Sequence, residues 1–149
     1  MIRRAYNWAF THFISRSNPE VAHHWGLGAI SLAGRFAPTR GLMRATLGHL
    51  DPTHFPTRVV GGVEVPLTLG ERRLPSRLGL AAGMDKDAEA VLGMCALGYA
   101  FVEIGTVTPR PQPGNDAPRL WRLMEERGLR NRMGFNNAGA DAAAEKLRE

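Results

Sequence analysis

Three clusters of small, amide and charged residues stand where apolar runs stop. The first lies in LGLAAGMDK, residues 78–86, where an apolar run ends at Gly83 and Asp85, Lys86 and Asp87 follow. The second is Gly105-Thr106, at the end of the apolar run 100–104. The third is NRMGFNN, residues 131–137. A glycine such as Gly83 has no side chain and lets a flat or anionic ligand approach the backbone. Lys86 stands near the start of a helical pattern, where the helix dipole disfavours a cation by a few tenths to about 1 kcal/mol. A bound anion reverses that, because amide donors and the ammonium then face it together. The other reading of Lys86 is a surface lysine paired with Asp85 or Asp87. Thr106 offers a hydroxyl to a phosphate or a ring nitrogen, or else is a cap or loop residue. Asn131, Asn136 and Asn137 offer paired donors and acceptors to a ligand with amide-like edges, or else make turns.

These clusters need a scaffold. Residues 78–82 and 100–104 read as short buried strands flanking a helix over 88–97, with Asp85 or Asp87 to cap it and Gly98 to stop it. Strand, helix and strand in so short a span make a βαβ unit with parallel strands. Ligands on such sheets sit beyond the carboxyl ends of the strands, where Gly83, Lys86 and Thr106 fall. A Pro-rich polar loop follows, then a short ordered piece at 120–123, an outward-turned charged stretch at 125–130, and a helix at 142–148.

Upstream, apolar residues at Ile2, Ala5, Tyr6, Ala9, Phe10 and Phe13 predict an amphipathic helix over 2–16. Asn18 caps a second helix with Pro19 at its first position and Glu20 at its positive end, and Pro38 ends it. Residues 40–50 form a third, shorter helix. Residues 51–58 are a polar linker, and 59–74 predict small antiparallel turns, with Pro66 excluded from a central strand. The helices are either a subdomain packed on the rest or an interfacial pair, since aromatics beside arginines suit anionic head groups.

With 149 residues, 44% hydrophobic and 22% charged, the chain is the size of one ordinary domain and should fold. No run of 18 apolar residues occurs, so none reads as a membrane span. A formal charge of +5 favours anionic partners. The arginines are dispersed and no stacking platform is seen, which argues against nucleic acid. The single cysteine, Cys95, cannot form an internal disulfide and suits a reducing compartment. Phosphate-loop, dinucleotide, zinc-protease and nucleophile-elbow motifs are absent, and His23-His24 lacks carboxylate partners for a metal.

At these residues the sequence resembles the quinone-dependent (class 2) dihydroorotate dehydrogenases. LGLAAGMDKDAEA (78–90), GYAFVEIGTVTPRPQPGNDAPRLWRL (98–123) and NRMGFNN (131–137) carry the likeness, and NPEVAHHW (18–25) resembles the family's helical extension less strongly. The likeness is low through 37–77. It implies an α/β fold: the N-terminal part of a (β/α)8 TIM barrel (51–149), incomplete here, preceded by a two-helix extension (1–50). A full barrel typically needs roughly 250 residues.

The implied activity is oxidation of dihydroorotate to orotate in pyrimidine synthesis, with hydride to FMN and electrons on to a membrane quinone. Ala82, Gly83, Met84, Asp85, Lys86 and Thr106 are the implied FMN contacts. Lys86, Asn131, Arg132, Met133, Gly134 and Phe135 are the implied substrate contacts, and His23 and Arg122 the implied quinone site. The helices would hold the protein peripherally on the cytoplasmic side of the cell membrane, with no metal and no nucleic acid. The proton-removing serine would lie beyond Glu149, since Ser15, Ser17, Ser31 and Ser76 all precede the site. The competing readings are a basic α/β module for acidic lipid or nucleic acid without redox activity, and a cytosolic relative using fumarate or NAD.

Overall fold

A computed structural model describes residues 2–48 and 55–148. The end of the predicted third helix (49–50) and the first half of the predicted linker (51–54) lie outside the described residues. The N-terminal region is helical. Helix α1 spans Ile2–His12 and is followed by a 3-10 turn, Ile14–Arg16, so the predicted helix over 2–16 is shorter and tightens at its end.

Helix α2 spans Pro19–Arg35 and starts as its sequence dictates. The Asn18 side-chain oxygen accepts from the amides of Glu20 (2.9 Å) and Val21 (3.3 Å), two of the donors that a helix start leaves open. Its end differs from expectation. The chain breaks at Phe36, which is extended (φ −87, ψ 127), and Pro38 stands in the first turn of helix α3, Ala37–Met43. A proline is tolerated there because its missing N–H has no helical partner in any case. The hydroxyl of Thr39 and the guanidinium of Arg40 donate to the carbonyls of Ala33 and Gly34, closing the corner. A π turn, Arg44–Gly48, follows.

Strands β1 (Thr57–Val60) and β2 (Val63–Pro66) form an antiparallel hairpin, with Val60 opposite Val63. Gly61 and Gly62 both have positive φ (58 and 82), the conformation a two-residue turn of this twist requires. Strands β3 (Thr68–Leu69) and β4 (Arg72–Arg73) repeat the arrangement on a smaller scale.

The predicted parallel strands pair in parallel through a single bridge, Leu80 to Val102, rather than as long ladders. Leu80 donates to Phe101 O (2.9 Å), Glu103 to Leu80 O (2.8 Å) and Gly83 to Gly105 O (2.8 Å), the slanted pattern of a parallel pair. Helix α4 between them covers only Val91–Ala96. The expected start at 88 fails because Ala88 takes φ 59, a left-handed conformation that interrupts a helix. Gly98 ends it at φ 105, as expected. Beyond the Pro-rich loop, β5 (Leu120–Leu123) and β6 (Gly128–Asn131) form a hairpin, so the charged stretch 125–130 is half turn and half strand. Helix α5, Ala140–Arg148, completes the described residues and starts two positions before expectation.

The core lies where α2 crosses α4. Leu27, Ala90 and Met94 are buried there, with Ile30, Leu80, Leu97, Tyr99 and Val102 packed around them. The helices touch backbone to backbone. A Cβ on Gly34 would lie 2.5 Å from Gly93 N, and one on Gly93 would lie 2.3 Å from Ile30 O. Neither obstacle is a movable side chain. Gly34→Ala should therefore cost about 1–3 kcal/mol by forcing the helices apart. Gly26→Ala meets nothing within 4 Å and should be neutral or stabilising by up to about 1 kcal/mol. Thermal unfolding followed by circular dichroism distinguishes them; equal melting temperatures would refute the close crossing.

Candidate functional site

One cleft of about 1530 Å³ runs between the N-terminal helices and the loops at the strand ends. On the helix side its wall is largely apolar, with Tyr6, Phe10, Ile14, Ala22 and Leu27 beside His23. On the loop side it is lined by Ala82, Gly83, Met84, Lys86 and Thr106, and by 131–136 from the third cluster. Arg122, on β5, faces the same space. The three clusters read from the sequence, 50 residues and more apart in their extremes, meet on one surface.

Asp85 is the exception among the expected ligand contacts, because it is fully buried and does not line the cleft. Its two carboxylate oxygens accept from the amides of Glu89 and Ala90, each at 2.8 Å. That bonding shapes the turn after Gly83, ahead of α4 rather than as its cap. Asp87 does not cap α4 either; its carboxylate accepts from the amide of Ala138 at 2.7 Å. Neither aspartate takes Lys86 as its hydrogen-bond partner. The ammonium of Lys86 donates instead to Asn136 Oδ1 at 2.5 Å, joining the first cluster to the third. Burial and the nearby charge of Arg119 hold the Lys86 pKa below its ordinary value, so this ammonium gains from an anion.

Gly83 is on the wall with φ 100, and a Cβ there would meet nothing within 4 Å. The backbone is thus open to the cleft at a position that only glycine occupies without strain. In the third cluster Gly134 and Phe135 both have positive φ (74 and 58). For a phenylalanine that conformation is costly and unusual. It leaves Phe135 64% exposed at the cleft, while Asn137 Nδ2 ties its carbonyl at 2.7 Å. Asn137 is buried, and its side-chain oxygen accepts from Thr108 and from the Gly139 amide. It is therefore a structural tie, whereas Asn136 reaches the cleft.

His23 lies half-buried on the helix side, and its ring meets that of His24 edge-on with centroids 5.6 Å apart. Burial first, then the charges of His24 and Lys86, push its pKa below the ordinary histidine value. Arg122 is oriented by its Nη1, which donates to Ser17 O at 2.6 Å. A feature invisible to local reading is the ion pair between Glu20 of α2 and Arg119, 99 residues apart in sequence, with Nε to Oε1 and Oε2 at 3.0 and 3.1 Å. Both side chains are under one-fifth exposed (19% and 17%). No local signal foretold this pair, because neither residue lies in a periodic or capping relation to the other.

A parallel pair joined through a helix, with its cleft beyond the carboxyl ends, defines an α/β protein whose ligand site follows the usual rule for such sheets. Residues 66–149, more than half of the chain, match the family model for dihydroorotate dehydrogenase, and the chain belongs to that family. Among similar proteins, the dihydroorotate dehydrogenase (quinone) of Kineococcus radiotolerans is 42% identical over 98% of this chain and 37% of its own length. That of Clavibacter sepedonicus is 48% identical (96% and 38%), and that of Nocardia farcinica 52% (87% and 32%). The chain thus spans about a third to two-fifths of the relatives it matches. A crystal structure of DHODH from Eimeria tenella in complex with ferulenol superposes with a TM-score of 0.55 at 33% identity, over 88% of this chain and 30% of that one. This membership does not favour a redox-free lipid or nucleic-acid module.

The ion pair carries a pH signature. The hydrogen bond from Arg119 is the main reason the Glu20 pKa lies below its ordinary 4.5, against the opposing effect of burial. A carboxylate with a lowered folded pKa stabilises fully above its unfolded value, and loses that stabilisation as pH falls through the folded one. Glu20→Gln should lower stability by about 1 kcal/mol near neutral pH. The difference from the parent should vanish in acid, read as the gap between urea midpoints. A gap that persists unchanged below the carboxylate range would disprove the ionic origin.

Proposed function

We propose that these residues form the first part of a quinone-dependent (class 2) dihydroorotate dehydrogenase. In this reading 1–50 are a helical quinone-tunnel and membrane extension, and 51–149 begin an FMN-binding (β/α)8 barrel completed by polypeptide outside this chain. The enzyme oxidises dihydroorotate to orotate in pyrimidine synthesis and passes the electrons to a membrane quinone. The observation that carries the reading is the single cleft shared by all three residue sets. Its helix side, with His23 and with Arg122 reaching in from β5, suits an apolar ring with polar carbonyls. Its loop side suits a flat polar ring.

The residues fit a flavin. The open backbone at Gly83 accommodates a planar group, and Ala82, Met84 and Thr106 continue that wall. A bound flavin supplies the chemistry of accepting hydride and relaying electrons. What this chain adds is positioning and charge. The Lys86 ammonium, fixed by Asn136, offsets negative charge that develops beside it and attracts a carboxylate substrate. Asn131, Arg132, Met133, Gly134 and Phe135 make up the substrate wall.

A proton-removing serine from outside the chain agrees with the serines present. Each of the four donates to a backbone carbonyl, and none lines the cleft.

Peripheral attachment to the membrane is supported by the helices, and the cytoplasmic side is proposed with it. Trp8, Phe13 and Trp25 are 59%, 62% and 73% exposed. No helix among the described residues is long and apolar enough to cross a bilayer.

Three results test the proposal. The whole enzyme should reduce both a quinone and a soluble dye with dihydroorotate, and Lys86→Ala should lower both rates by about 100-fold or more. His23→Ala, a change on the helix side of the cleft, should lower quinone reduction by about tenfold or more and spare the dye; an equal loss of both would count against the tunnel. Residues 1–149 alone should neither hold flavin tightly nor turn over, and flavin absorbance with orotate production from that piece would refute the reading of 1–149 as only the first part of the enzyme.

A further inference from the structure

The substrate wall rests on a second loop, 113–119, and Arg119 holds that loop in shape. Its Nη1 donates to the carbonyls of Pro113 (2.6 Å) and Asn115 (3.0 Å), drawing the loop around one guanidinium. Asn115 and Arg119 are in turn what the wall is bonded to. The Asn115 amide donates to Met133 O (3.0 Å), its side-chain Nδ2 to Arg132 O (2.7 Å), and the Arg132 amide to Arg119 O (2.9 Å). The fit is close enough that a Cβ on Gly114 would lie 2.2 Å from Met133 O, and one on Gly134 2.7 Å from Asn115 N. A shift of 113–115 must therefore move 132–134. The remaining donors of the same guanidinium, Nε and Nη2, go to Glu20 at the start of α2. Five donors in a rigid plane allow this three-way attachment, and a lysine has no equivalent.

We infer that Arg119 is a positioning residue: it holds the loop that templates the substrate wall, and through Glu20 locks that wall to the helix carrying His23. It touches neither reaction partner in this role. The inference rests on the proposed function for its catalytic readout, and on hydrogen bonding alone for its structural one.

Two measurements test it. In Arg119→Lys, amide exchange at Arg132 and Asn115 should accelerate about tenfold, while Met94, bonded within α4 to Ala90 O, keeps its rate. In the whole enzyme the same change should raise KM for dihydroorotate about tenfold with either quinone or dye as acceptor, at unaltered flavin content. Glu20→Gln, which keeps the arginine and its carbonyl bonds, should move both readouts the same way by a smaller factor, and it decides the matter if Arg119→Lys does not fold. Unchanged exchange at Arg132 and Asn115 would overturn the inference. So would an unchanged KM in an active, flavin-loaded variant. A parent enzyme inert toward dihydroorotate would instead sink the proposed function, leaving the exchange rates to decide the role of Arg119.

Discussion

The turn between Gly83 and α4 hangs on one buried carboxylate. Asp85 has no exposed surface, and its two oxygens serve two consecutive amides. Without them, the buried Ala90 N–H would be left unpaired at about 1–3 kcal/mol, and the part-buried Glu89 N–H would lose its partner. The geometry they impose is unusual, since the chain must pass through a left-handed Ala88 before the helix can begin. A small residue bears that strain most cheaply. With Asp85 turned inward, its neighbour Lys86 projects to the cleft and Asp87 reaches Ala138 across the fold. The placement of α4, and of α2 against it, follows from where this turn delivers the chain.

Much of the scaffold was legible because it obeys local rules. Asn18, Pro19 and Glu20 announce the start of α2, and their bonds are the expected ones. Gly61-Gly62 announces a hairpin turn, and the two apolar runs pair in parallel as the spacing required. What stayed hidden depends on contacts distant in sequence. Whether Asp85 meets a ligand or its own backbone is decided by burial, which a motif does not encode. Asn136 and Asn137 are adjacent amides with opposite fates, one toward Lys86 and one sealed inside. Pro38 misled because proline ends a helix and opens one with equal ease.

The cleft combines two environments. Its helix wall is largely apolar, and its loop wall concentrates the cations Lys86 and Arg132. Glu20 tempers that concentration: the Arg119 charge depresses the Lys86 pKa, and the Glu20 carboxylate partly restores it. The ion pair thus adjusts an electrostatic field as well as a distance.

The parallel pair at 78–83 and 100–105 has a further implication. Its backbone-to-backbone bonds all run inward, between the two segments. The backbone groups of Gly79 and Ala81 on one flank, and of Val102 on the other, have no partner among the described residues. Two bare flanks on so short a ribbon are adhesive to any extended peptide. They also impose a direction, since a newcomer that keeps the slanted bonding runs alongside rather than against. The ribbon thus specifies the polarity of any strand laid beside it, and covering its flanks both extends the sheet and removes a template for pairing with other chains.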